Sequence, residues 1–91
     1  MKTYKKQPAD VLDYDTNFAD WMPAADSISS KTVTAETGIT IVTSSFNVNT
    51  HVVKVWLSGG TDGTSYKITV RIVTVGGRTK ERDFRVRVKE I

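Results

Sequence analysis

The chain has 91 residues and no cysteine, with 13 Lys and Arg against 10 Asp and Glu for a net charge of +3. This size implies one domain with a modest core, and neither disulfides nor thiolate metal sites are available to support it. No apolar run is long enough for a bilayer, and the opening KTYKKQPADVLDYD lacks the apolar stretch of a signal peptide, which implies folding in the cytoplasm.

Residues 1–25 read as an extended N-terminal arm. Pro8 and Pro23 bracket it, and Tyr4, Tyr14, Phe18 and Trp21 recur without a period. Val11-Leu12 reads as a short edge strand. From Asp10 to Asp26 there are five acids (Asp10, Asp13, Asp15, Asp20, Asp26) and no Lys or Arg. Such a segment has little means of ordering itself, so the aromatics are expected to anchor it on neighbouring subunits.

Strand chemistry dominates from Asp26 onward. Ser27 to Glu36 is rich in Ser, Thr and Val until Gly38 breaks it. In the next strand Ile39, Ile41 and Thr43 share a side, and an irregularity is expected at Ser44-Ser45 before Phe46 and Val48. Asn47 and Asn49-Thr50 form a turn that starts the strand Val52 to Leu57. There Val53, Val55 and Leu57 share one face, so Val52, Lys54 and Trp56 take the other. An outward Trp beside a Lys is either covered by the protein's own arm or anchors an interface; the alternative is a bulge that turns it into the core.

The last third is the clearest. Tyr66, Ile68, Val70 and Ile72 alternate with Lys67, Thr69 and Arg71, and after Gly76-Gly77 Phe84, Val86 and Val88 alternate with Asp83, Arg85, Arg87 and Lys89. Period two means one buried and one wet face, as in an antiparallel sheet packed on another. A plain two-residue turn at Gly76-Gly77 would set Val70 opposite Asp83 and mismatch the faces. The hairpin therefore requires an odd loop with a glycine at positive φ, or a bulge. Upstream, TDGTSYKI places Tyr66 two residues before an inward Ile68, the pattern of a tyrosine corner, whose hydroxyl bonds upstream backbone. No window carries a helical stripe. The fold expected is all-β: an Ig-like antiparallel β-sandwich of six or seven strands over residues 26–91.

Nothing in the chain assembles catalytic chemistry, and the expectation is a protein that is not an enzyme, with no cofactor and no metal. Asp13-Tyr14-Asp15-Thr16-Asn17 opens like a calcium loop, but Phe18 stands where the turn needs Gly and Ala24 where the last carboxylate belongs. His51 is the only histidine and reads as a turn residue. Ser58-Gly59-Gly60-Thr61 lacks the Lys-Ser/Thr ending and helix of a phosphate loop. No nucleophile elbow supports a Ser-His-Asp triad.

Seven bases lie between Arg71 and Lys89 against Glu81 and Asp83. Acids early and bases late point to electrostatically steered association, the acidic segment meeting Arg82, Arg85 and Arg87 on a neighbour. The partner-binding candidates are thus Tyr14, Phe18, Trp21, Trp56, Arg82, Arg85 and Arg87. Two other classes fit parts of the chain. A nucleic-acid module would use the basic hairpin, though no aromatics interleave with its bases; a carbohydrate-binding module would stack sugars on Trp21 or Trp56.

The opening KTYKKQPADVLDYD, Trp21, and the block WLSGGTDGTSYKITVRIVTVGGRTKERDF resemble small structural proteins of tailed bacteriophages, the fiber-tail adaptor family with its Ig-like fold. The resemblance spans nearly the whole chain and is weakest over residues 28–50. It implies a virion component at the tail or tail-fiber junction, partnered by other tail or fiber proteins and forming a homo-oligomeric ring, with no membrane and no catalytic residues.

Overall fold

The period-two pattern becomes seven strands in two facing sheets. The computed structural model describes residues 2–90. The strands are β1 (Lys2–Lys6), β2 (Leu12–Asn17), β3 (Ile28–Ala35), β4 (Ile39–Asn47), β5 (Val52–Gly59), β6 (Ser65–Thr74) and β7 (Thr79–Val88). One sheet has the order β1-β7-β6-β3 and the other β2-β5-β4. Among the described residues there is no helix.

The core forms where the alternating faces meet. Val53, Val55 and Leu57 of β5 face Ile68, Val70 and Ile72 of β6 and Val86 and Val88 of β7, all fully buried. The expected faces of β5, β6 and β7 are therefore those observed. In the β6–β7 hairpin Val70 lies opposite Arg82 and Ile68 opposite Phe84. Thr74 N–H donates to Arg78 O at 2.8 Å, leaving the odd three-residue loop Val75-Gly76-Gly77, with Gly77 at φ 88°. This is the register correction that the alternation required.

The extended arm is corrected. β1 pairs in parallel with β7, and β2 pairs antiparallel with β5, so residues 2–17 supply one edge strand to each sheet. Tyr14 and Phe18 belong to the same core as the rest of the domain. Packing therefore continues across the expected boundary at residue 25; the outer ends of the two expected segments, Met1 and Ile91, lie outside the described residues. Deep burial of two aromatics stabilises this segment more than its own polar composition suggests.

The irregularity in β4 also moves. It falls between Ile41 and Thr43, with Val42 as the extra residue, and not at Ser44-Ser45. Ile39 and Ile41 keep their inward face, Thr43 turns outward, and Ser44 and Phe46 take over the inward positions opposite Val55 and Val53. The turn after β4 is built by Asn47, whose side-chain oxygen accepts from the N–H groups of Asn49 and Thr50. His51 ends it at φ 59°, the turn position expected for it.

Tyr66 closes one end of the sandwich as the tyrosine corner predicts. Its hydroxyl accepts from Thr61 N–H at 2.9 Å. The ring is wedged between Gly38 of the β3–β4 turn (φ 116°) and Gly60 of the β5–β6 loop (φ 98°), and a Cβ on Gly38 would stand 2.9 Å from Tyr66 Cε1. Both glycines are needed twice over, for positive φ and for space.

Candidate docking surfaces

The seven expected partner-binding residues separate into four environments. Tyr14 and Phe18 are in the core. The Tyr14 ring stacks among Tyr4 and Phe84, at centroid distances of 4.9 and 5.6 Å. Burial, first, and the nearby carboxylates of Asp10 and Asp13 push its hydroxyl pKa up, so it stays neutral. Phe18 is 0% exposed. Its N–H donates to His51 O, and its carbonyl accepts from both Trp21 and Met22 N–H, folding residues 18–22 into a tight cap over one end of the core. Neither ring is available as an anchor. Trp21 is half-buried in this cap, with Lys80 Nζ 5.9 Å from its centroid.

Arg82 is also corrected. It is in phase with Phe84 and Val86, so it points to the interior side of β7, while Arg85 and Arg87 point outward. Its Nη1 donates to Asn17 O at 2.6 Å and pairs with Asp20 at 3.0 Å, and the guanidinium lies 5.3 Å from the Phe18 ring. The hydrogen bond from Arg82, first, depresses the Asp20 carboxyl pKa. Arg82 thus ties the cap to β7. It lines a cleft of about 620 Å³ at the β1–β2 edge, together with Tyr4, Asp15 and Phe84.

Most of the early acids meet bases of their own chain. Asp13 and Asp15 reach Lys54 at 3.2 and 4.0 Å, and Asp26 pairs with Arg78 at 3.0 Å. The Asp26 carboxylate is the most engaged group in the protein. It accepts from the N–H groups of Ser27 and Gly76 at 2.9 Å each, fastening the β6–β7 turn to the start of β3. The Gly76 N–H bond, helped by Thr74, Ser27 and Arg78, holds its pKa down at about 2 against partial desolvation. Asp13, Asp15, Asp20 and Asp26 thus each have a base of their own chain within 4.0 Å, and of these Asp26 is the one held away from solvent.

Two outward faces remain. On the four-stranded sheet, Arg85 lies between Thr3 and Lys67, and Arg87 between Lys5 and Ser65. Lys5, Lys67, Arg85 and Arg87 form a basic face across three strands, and among the described residues none takes part in an ion pair. Lys5 was missed in the sequence, because only the parallel β1–β7 pairing brings it there. On the three-stranded sheet, Trp56 stands between Asp13 and Thr43, half-buried, with Lys54 beside it on the same face. The outward direction expected for Trp56 is the observed one.

The domain is an all-β sandwich with charged and aromatic outer faces. The chain matches the family described as Podophage GP4 fiber-tail adaptor protein gp77 over residues 6–87, and it belongs to that family. It is accordingly a phage tail-fiber adaptor and a part of the virion. No curated protein matches the chain.

Proposed function

We propose that the protein is a non-catalytic connector at the tail or tail-fiber junction, that copies of it associate there, and that it grips two neighbours through the outer faces of its two sheets. The observation that carries this reading is the chemical difference between those faces. One presents Lys5, Lys67, Arg85 and Arg87, none of them in an ion pair among the described residues, and the other presents Trp56 among neutral and acidic side chains. A basic face suits an acidic protein surface and steers the encounter; no aromatic is interleaved with its bases to stack nucleotides. A half-buried Trp suits a hot spot. Family membership supports the adaptor role, and the Ig-like reading is supported by strand order. Lettered in sequence from β1 as A, the sheets read B-E-D and A-G-F-C, which contain the paired strands of the Ig sandwich with a tyrosine corner on F.

The test is binding of purified tail and fiber proteins of the parent phage. Reversing the basic face with Arg85→Glu and Arg87→Glu is expected to weaken one partner about tenfold or more, with an on-rate that no longer responds to salt. Trp56→Ala is expected to weaken the other partner more than it lowers stability, with a smaller fall in melting temperature than truncation of a fully buried ring would cause. Wild-type binding by both variants would remove the two-face reading.

A further inference from the structure

We infer that copies of the protein join head to tail, with Lys31 of one copy entering the acid-lined cleft at the β1–β2 edge of the next. This specifies the copy-to-copy contact proposed above and rests on that part of the reading alone. The sandwich has two open sides, where the edges of its sheets meet. On one, the Tyr4 and Tyr14 rings, 4.9 Å apart, bring β1 and β2 together. On the other, β3 runs through the turn at Gly38 into β4, and these are the opposite edge strands of the two sheets. The sides differ in charge. Between them β3 and β4 carry a single charged side chain, Lys31, which lies opposite Ile72 and so points between the sheets, half-buried at the open edge. Among the described residues it takes part in no ion pair. The cleft on the first side is lined by three carboxylates, Asp15, Asp20 and Asp83, against two bases, Lys2 and Arg82. Among the described residues it is thus one positive charge short of balance.

The occupant is a second copy because each side supplies what the other lacks. Arg82 is committed to Asp20 and to Asn17 O. Asp15 lies 4.0 Å from a Lys54 that it shares with Asp13, and Asp83 has no ion-pair partner among the described residues. An incoming ammonium balances this lining, and the Tyr4 and Phe84 rings in the same cleft suit a cation. The heights also agree. Lys31, Ile72 and Lys80 stand at one level across their sheet. Arg82, the next inward position on β7, is about 7 Å further along the strand, within reach of an extended lysine when two copies stand side by side. Two clefts face to face would set carboxylates against carboxylates, and two β3–β4 sides would leave both lysines without a counter-charge. Unlike sides therefore attract and like sides do not. Such a contact is heterologous: each copy keeps a free half-site at either end until a constant rotation closes the set into a ring.

A carbodiimide, which condenses an ammonium and a carboxylate in contact to an amide, tests the pair in the unaltered protein. Covalent oligomers larger than dimers are expected at high protein concentration. In them, peptide mass spectrometry should find the Lys31 peptide joined to one that carries Asp15, Asp20 or Asp83. In sedimentation, Lys31→Glu and Asp83→Lys are each expected to weaken assembly about tenfold or more, and the two together in one chain to recover most of that loss. Lys31→Met keeps the apolar stem without the charge, and should weaken assembly without lowering the melting temperature. Covalent oligomers without a Lys31 link, or wild-type assembly by both Lys31→Glu and Lys31→Met, would overturn the contact. So would a wild type that stays monomeric into the hundreds of micromolar (about −5 kcal/mol by standard conversion). Binding of tail and fiber proteins is measured on the same samples. Its persistence in a wild type that forms no oligomers removes this inference alone, and wild-type binding by Arg85→Glu with Arg87→Glu, while Lys31→Glu fails to assemble, removes the two-face reading alone.

Discussion

Phe18→Ala separates a core residue from a docking anchor, and the structure fixes what to expect. The ring is fully buried in the cap that residues 18–22 form, against the guanidinium of Arg82. Truncating a buried Phe costs about 3–5 kcal/mol, because the transfer energy is lost and the cavity closes only in part. Loss of the cation–π contact adds about 0.5–1 kcal/mol. A domain of this length has a total stability of about 5–14 kcal/mol, so the variant is expected to lose about a quarter of it or more. The melting temperature should fall by about 12 °C or more, taking about 4–8 °C per kcal/mol. Guanidinium unfolding, followed by far-ultraviolet circular dichroism and by tryptophan fluorescence, should show a lower midpoint at unchanged slope. Trp56→Ala serves as the contrast, since truncating an outward, half-buried ring costs less than the ~3–5 kcal/mol of a fully buried one. If Phe18→Ala unfolds within about 1 kcal/mol of wild type while losing its phage partners, the ring is an exposed anchor and the N-terminal residues are an arm after all.

Three further outcomes follow from local geometry. Asp26 titrates at about 2 when folded, below its ordinary 3.8; a depressed folded pKa contributes stability that is complete above about pH 4 and is lost as pH falls toward 2. Thermal melts across that window should show a steeper acid loss in wild type than in Asp26→Asn, and parallel curves would refute the assignment. Gly60→Ala places a Cβ 2.5 Å from Val88 Cγ2 at φ 98°, with an expected loss of about 1–3 kcal/mol in denaturant unfolding. Lys6, 2% exposed, donates from Nζ to Gly59 O at 2.6 Å and Gln7 O at 2.8 Å. Lys6→Met strands those carbonyls and should lower stability by about 1–3 kcal/mol in the same assay.

What was legible in the sequence was local and periodic. β5, β6 and β7 each carry at least three apolar residues in phase, enough to fix both their faces and, through Gly76-Gly77, their register. Tyr66 was legible because a turn, an aromatic and an inward Ile68 stand at fixed spacing. β1 and β2 were not, because KTYKK and LDYDTN hold too few apolar residues for a period to show. Their place comes from backbone ladders with β7 and β5, partners about forty to eighty residues away in the chain, and no local pattern reports such pairing. The Arg82 error was of another kind. Its parity with Phe84 was in the sequence, but the composition of the hairpin suggested one basic face. The strand outruns the core, so an inward position near its end can hold a cation that reaches across to the cap. The charge-free stretch around β4 was visible as well; only the sheet order makes it an edge.

The parallel pairing of β1 with β7 has a mechanical consequence. Lys2 lies beside Phe84 and Lys6 beside Val88, so the chain enters this ladder at one end and leaves it at the other. A pull on the backbone at Lys2 and at Val88 drags the two strands in opposite directions along their length. The load then falls on all the bonds of the ladder at once, and they must shear together instead of unzipping singly. Two further ties resist that sliding: Lys89 N–H donates to Lys6 O, and Lys6 itself is anchored to Gly59. A pull applied between those two points therefore meets a clamp that keeps the core closed until the whole ladder gives way.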